Sequence, residues 1–272
     1  MFAFLKDLDT DIRDALLAQL RNLWTHTSTA IEGNTLTLGE TAFVLEEGLT
    51  ISGKPLKDHE EVVGHAKAID FIYDLIGRKS DLAEKDLFDL HKSVQPERVV
   101  DVYKPVGAWK IEPNSTVIVS GNDQIIFEYA PPKDVPELMQ DWLALFQNTC
   151  KEKALNREDT LMAYARLHVS FVSIHPFWDG NGRMARLIAN VPVIRAGFPP
   201  IIIPKERRQE YIESLSEYHL SVGTVTARSE LLPNTDKLGR FIRFCAESWS
   251  ESIKLVDNAR KKQLERKTIE RN

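Results

Sequence analysis

Apolar residues recur at helical spacing along most of this chain, and one stretch alone breaks the pattern. Ile12, Leu16, Leu20 and Trp24 step by four and share one face of a first helix. Thr37 and Glu40 form a Thr-x-x-Glu capping signature ahead of Phe43, Val44 and Leu45, so a short helix is predicted to end at Gly48. A longer helix over about 57–76 turns Val62, Ala66, Ile69, Tyr73 and Ile76 inward, and one over about 136–148 buries Leu138, Trp142, Leu145 and Phe146. The stretch 158–173 carries Leu161, Ala165, Leu167 and Val169 at the same spacing. Another helix is predicted from Gly182 to the Gly197-Phe-Pro-Pro stop, and two more over 205–222 and 236–271. The exception is 115–129, where Thr-Val-Ile-Val and Gln-Ile-Ile-Phe-Glu-Tyr flank Gly121-Asn122-Asp123 and read as a β-hairpin. A lone hairpin cannot bury itself, so it should lie on the helical body as a flap with a free edge. The expected fold is all-α (mainly α), a helical bundle with one small hairpin.

No repeat and no long linker divides the chain. The expected organisation is N-terminal helices over 1–80, a core over 81–235 and a C-terminal helix over 236–272. With 272 residues, 43% hydrophobic and 28% charged, the chain can bury a sizeable core and is not a disordered or low-complexity sequence. A net charge of −5 gives no general electrostatic basis for binding nucleic acid or an anionic membrane. The seven basic and three acidic residues of 254–272 lack interleaved aromatics and read as a solvated helix rather than a DNA-binding arm. Two cysteines, Cys150 and Cys245, make neither a disulfide framework nor a zinc site. The opening MFAFLKDLDTDIRD meets acids too early for a signal peptide, and no apolar run spans a membrane, so the cytoplasm is the expected location.

The chemistry concentrates in Ser173-Ile-His-Pro-Phe-Trp-Asp-Gly-Asn-Gly-Arg-Met-Ala-Arg186. Pro176 forbids helical geometry at His175, so a helix ends there. Asp179-Gly180-Asn181-Gly182 can take positive φ and aim successive N–H groups at an anion, and a helix N-terminus follows directly. Arg183 and Arg186, three apart, extend the positive site. Asp179 is a hard oxygen ligand able to hold Mg²⁺ against phosphate oxygens. His175, with an ordinary pKa near ~6.5, suits a general base. A bare Gly-Asn-Gly would read as a polar turn; the full string describes phosphoryl or nucleotidyl chemistry.

His-Pro-Phe-x-Asp-Gly-Asn-Gly-Arg-x-x-Arg is also the signature of the Fic family, and residues 175–186 resemble it without a departure. The resemblance extends from about Trp24 to Phe244. It implies a Fic-type helical bundle and a protein adenylyltransferase, an enzyme moving AMP from ATP to a Ser, Thr or Tyr hydroxyl of a target protein. It further implies that His175 takes the hydroxyl proton and that Asp179 holds Mg²⁺. Gly180, Asn181 and Gly182 would cradle the phosphates, with the Asn181 side chain on the α-phosphate, Arg183 on the β-phosphate and Arg186 on the γ-phosphate. Val117, Ile118, Val119 and Ser120 match the flap that covers the nucleotide and aligns the target by strand addition. Tyr211 falls in the segment lining the nucleoside pocket, where His219 stands in place of the family's common Asn. Relatives often pair through this core, so a homodimer is within the expectation.

A second motif, Ser28-Thr-Ala-Ile-Glu32-Gly-Asn34, resembles the inhibitory helix of the class whose restraint lies N-terminal to the core, here at about 27–34. By that resemblance Glu32 pairs with Arg186 in the place of the γ-phosphate. In the endoplasmic-reticulum relative of this class the same Glu helps to remove AMP from the target, so de-AMPylation is an alternative use of Glu32. Transfer of UMP or phosphate is a second alternative, weighed down in the phosphate case by the unaltered Gly-Asn-Gly. An idle nucleotide-binding regulatory protein is a third, opposed by the intact His175 and Asp179. A winged-helix transcription factor has no room in the roughly forty residues after Leu232.

Overall fold

The structure, a computed structural model, describes residues 2–78, 81–95, 101–120, 123–152 and 155–269. Helix α1 (Thr10–Ile31) buries Ile12, Leu16, Leu20 and Trp24 as their spacing requires, then continues through the fully buried run 25–29. The segment expected at about 27–34 is therefore the last turns of α1, and Gly33, at φ +99°, turns the chain away. Helix α2 (Leu38–Glu47) begins with both halves of the capping box, Glu40 N donating to Thr37 Oγ1 (3.2 Å) and Thr37 N to Glu40 Oε2 (2.8 Å), and ends at Gly48 in the left-handed region. Helix α3 (Leu56–Gly77) buries Val62, Ala66 and Ile69; further along, Ile72 and Leu75 turn inward while Tyr73 and Ile76 are half-buried.

Helix α4 (Glu84–Val94) was not foreseen from the sequence, although Leu87, Leu90 and Val94 make a buried stripe. Strands β1 (Ser115–Ser120) and β2 (Asp123–Glu128) pair antiparallel in the register Val117↔Ile126 and Ile118↔Ile125. The predicted turn residues Gly121 and Asn122 lie outside the described residues. Ile118 and Phe127 face the body, whereas Val117, Val119 and Ile126 face out, as period-two patterning demands.

Helix α5 (Val135–Lys151) opens with Pro136 in its first turn and buries Leu138, Trp142 and Phe146, with Leu145 half-buried. Helix α6 (Arg157–Ile174) is capped by Asn156 and is enclosed nearly all round. The single helix expected between 182 and 197 is two, α7 (Asn181–Ile188) and α8 (Asn190–Arg195). Pro192 has no N–H for the Ile188 carbonyl, so the ladder breaks at this turn. After the turn Lys205–Arg207 comes α9 (Arg208–Val222). The helix predicted over 236–271 is also two, α10 (Gly239–Ser248) and α11 (Ser250–Ile269), which meet at Trp249. There Trp249 Nε1 donates to Pro199 O (2.8 Å) and Ser252 Oγ to Pro200 O (2.6 Å), tying the junction to the proline pair.

The main apolar core of the described residues runs from Phe4 to Ala259, with α6 at its centre and α5, α7, α8 and α10 against it, and a small second cluster joins Leu36, Val44 and Val62. Helix α11 returns to α1, where Gln263 bonds Asp9 in both directions and Arg266 bridges Asp9 and Asp11. Among the described residues no helix is long and apolar enough to cross a membrane.

Candidate active site

The proline after His175 shapes the site. Denied the helical region by Pro176, His175 takes φ +53°, ψ 59° and ends α6, its N–H donating to Phe171 O (3.0 Å). Its Nδ1 lies 3.2 Å from Val172 O. A carbonyl can only accept, so Nδ1 carries the hydrogen and Nε2 keeps its lone pair. The Tyr129 ring covers the imidazole, with centroids 3.7 Å apart and planes at 12°. Burial, with the Lys110 charge nearby, lowers the His175 pKa to about 3, so the ring is neutral at pH 7.

The loop that follows is braced from inside. Asn181 Oδ1 accepts from Phe177 N (2.9 Å) and its Nδ2 donates to Phe177 O (2.8 Å). His91 on α4 stacks on the Phe177 ring at 3.9 Å, accepts from Gly107 N at Nδ1 (2.9 Å) and donates from Nε2 to Asp179 O (3.0 Å). Lys110, 2% exposed, donates to Asn114 Oδ1 (2.6 Å) and Ile174 O (3.4 Å), and burial lowers its pKa to about 7. Gly180, at φ +78°, makes the left-handed turn into α7. The Asp179 carboxylate, at 64% side-chain exposure, stands at the mouth with Oδ1 on Gly180 N.

These braces carry two expected results. Asn181→Ala removes two buried hydrogen bonds and leaves Phe177 N unpaired, so urea unfolding should show a loss of about 1–3 kcal/mol; a difference within a few tenths contradicts the brace. His91 is held neutral, its pKa lowered by burial to about 4 from the ordinary 6.5. Between those values the unfolded chain binds a proton that the folded protein refuses, so stability rises with pH and is lost on acidification from 6.5 towards 4. The slope is about 1.4 kcal/mol per pH unit for each such histidine. Urea titrations at pH 7, 5.5 and 4.5 measure it, and a flat profile would refute it.

Arg186 is the buried cation of the cleft, 2% exposed. It donates from Nε to Ser28 Oγ (3.0 Å), from Nη2 to Ser28 O (2.9 Å) and Glu32 Oε1 (2.7 Å), and from Nη1 to Tyr211 OH (3.4 Å). The end of α1 is thus laid across the signature helix. Gly182 makes room for this: a Cβ there would sit 2.8 Å from Glu32 Oε1 and 3.0 Å from Arg186 Nη1. Arg208 adds a second hold, donating to Ile31 O (2.6 Å).

A cleft of about 230 Å³ joins Glu32, His175, Asp179, Gly180, Gly182 and Arg186 to Val117 of the flap and Tyr211 and His219 of α9. That is below the about 300–1,000 Å³ usual for small-molecule sites, with the Glu32 side chain standing in it. Two expected phosphate ligands are placed otherwise. Arg183 does not line the cleft with Arg186: its Nη1 donates to Val94 O (2.9 Å) and its Nη2 to Gln95 Oε1 (2.5 Å), with Glu61 at 3.9 Å and the Asp179 carboxylate at 3.8 Å. The Asn181 carboxamide is turned onto Phe177, leaving its backbone to line the cleft. Ile118 faces the protein body and Val119 the solvent, and neither lines the cleft; Ser120 ends β1. Residues not foreseen are Tyr129, His91, Lys110 and Arg208. Of these, Tyr129 alone had a signal, directly after the strand alternation that turns Phe127 inward.

Residues 81–193 match the Fic/DOC family model. Over that segment the chain is a Fic/DOC domain. It is 33% identical over 244 residues to protein adenylyltransferase fic-1 of Caenorhabditis elegans, covering 88% of this chain and 42% of that protein. Against protein adenylyltransferase Fic of Drosophila melanogaster it is 34% identical over 233 residues, 84% of this chain and 40% of that one. This Fic chain therefore spans about two fifths of the length of these curated relatives. Among solved structures, a Fic domain containing signaling protein from Bacteroides thetaiotaomicron matches with a TM-score of 0.77 and 27% identity, over 93% of this chain and 94% of that one. Fic-1 from C. elegans matches with a TM-score of 0.67 and 29% identity, over 92% of this chain and 66% of that one. The helical bundle with a single hairpin is the Fic fold.

Proposed function

We propose that this Fic protein is a protein adenylyltransferase held in check by its own first helix. One juxtaposition carries the reading: the Glu32 carboxylate sits 2.7 Å from Arg186 in the cleft that also holds His175 and Asp179. Among the described residues Arg186 is the one guanidinium there that is both buried and turned to the cleft, and it is the natural counter-charge for a terminal phosphate. The N–H groups that open α7 and the positive end of its dipole favour the other phosphates. The target hydroxyl oxygen attacks the α-phosphorus of ATP, the bond to pyrophosphate breaks, and the hydroxyl proton passes to His175 Nε2. That nitrogen is the one left with its lone pair, so the base is oriented before substrate arrives.

Asp179 fits a Mg²⁺ ion: it is a hard, exposed carboxylate whose Oδ2 has a long ion pair to Arg183 Nη2 (3.8 Å), beside a phosphate site, the donor set this ion prefers when nucleotide supplies the rest. Bound there, Mg²⁺ would neutralise phosphate charge. A target segment would add along the free edge of β1, whose exposed Val117 and Val119 offer side-chain contacts beside the cleft. The relatives bearing the name adenylyltransferase support AMP as the group transferred. Peptide mass spectrometry of Glu32→Gly after incubation with ATP and Mg²⁺ tests this. Adenylyl on a Ser, Thr or Tyr is expected; phosphate in its place, or no modification, would overturn the reading.

A further inference from the structure

We infer that Tyr129 is a positioning residue for the base, its ring holding the His175 imidazole with Nε2 towards the cleft and tying that orientation to the flap. The inference rests on the adenylyltransferase reading for its consequence, though not for its geometry. A histidine at the end of a helix is free to turn about two side-chain bonds. Here the one hydrogen bond of its ring among the described residues, from Nδ1 to Val172 O, is long at 3.2 Å and fixes one edge of the ring. The plane is fixed by Tyr129, stacked nearly parallel at 3.7 Å. Among the described residues no other aromatic ring touches His175.

Tyr129 is itself anchored through its backbone. Its N–H donates to Asn114 O (3.1 Å), and Thr116 of β1 lines the cleft beside it. Asn114 in turn donates to Phe177 O (3.0 Å) in the signature loop. The same strand end carries Phe127, whose ring meets Tyr129 edge-on at 5.6 Å and stacks on His219 of α9 at 4.9 Å. The end of the returning flap strand therefore covers both imidazoles from one face, Tyr129 over His175 and Phe127 over His219, which ties the orientation of the base to the flap. A target strand seated on β1 would steady both. Tyr129 also covers one face of the His175 ring, whose burial is the first cause of its lowered pKa.

The test compares Tyr129→Leu and Tyr129→Phe in the Glu32→Gly protein. Misplacing a reacting group by an ångström lowers turnover by up to ~10²-fold. Tyr129→Leu should therefore lose at least about tenfold in kcat while its KM for ATP stays within about twofold, the pattern of an interaction that acts on the chemical step. Its acid limb should move to higher pH as the imidazole meets water. Tyr129→Phe keeps the ring and loses only the hydroxyl, so it should restore most of the kcat. A rise in KM with kcat unchanged would make Tyr129 a nucleotide contact and overturn the inference, as would a leucine variant equal to its parent. The ¹⁵N shifts of His175 decide independently of turnover: a single Nδ1–H tautomer is expected in the parent and a mixture in Tyr129→Leu. Identical tautomers in both overturn the inference. If the Glu32→Gly parent transfers nothing, the functional reading fails and the tautomer comparison still decides the role of Tyr129. Tyr129→Met serves should the leucine variant not fold.

Discussion

Replacing Glu32 by glycine should raise the rate of adenylyl transfer by one to two orders of magnitude over the wild-type protein. The carboxylate closes on Arg186 with one charge-assisted hydrogen bond at 2.7 Å. Such a bond contributes about 1.5–3 kcal/mol, and each 1.4 kcal/mol is a factor of ten in an equilibrium. Glu32 is partly exposed, at 38% of its side-chain surface, which draws the expectation to the lower part of that range. The substitution leaves the cation in place. Arg186 keeps both bonds to Ser28 and the one to Tyr211, so what changes is the vacancy for phosphate rather than the position of the guanidinium. Glycine is also mild for the backbone, because Glu32 is already past the last helical residue of α1. Initial rates of label transfer from α-labelled ATP measure the ratio. Equal rates from two well-folded proteins would mean that the Glu32–Arg186 pair is no restraint.

In that released background, His175→Ala should abolish transfer, with a loss of at least about 10²–10⁴-fold, the usual contribution of a positioned general base. ATP affinity should be nearly unchanged, since His175 lines the cleft without supplying charge to the phosphates; calorimetric titration checks it. Alanine at φ +53° adds backbone strain that histidine and asparagine bear better. His175→Asn separates the two effects, being inactive yet as stable as the parent. Activity surviving in either variant would show that a different group accepts the proton.

The features legible in the sequence were those written in local chemistry. Thr37 and Glu40 announced α2 because a capping box is complete within four residues. Pro176 announced the end of α6, and with it the placement of His175. The motif around Glu32 and the signature ending at Arg186 lie 154 positions apart, and the resemblance brought them together before the fold did. What was not legible depends on what lies beneath a helix. Arg183 and Arg186 sit three apart on α7, but that helix is enclosed on several sides, so the first finds the end of α4 and the second finds α1. Helix α4 hid because Leu87, Leu90 and Val94 are set among charged residues, and His91 with it. The break at Pro192 was readable as a missing donor; the junction at Trp249, tied to Pro199 and Pro200 about fifty positions away, was not.

The most direct test of the whole account is label transfer from α- and γ-labelled ATP, run in parallel on Glu32→Gly and Glu32→Gly/His175→Ala with Mg²⁺. The account predicts α-label on protein from the first variant, none from the second, and no γ-label from either. Protein labelled from the γ position, or α-label that survives loss of His175, would contradict it.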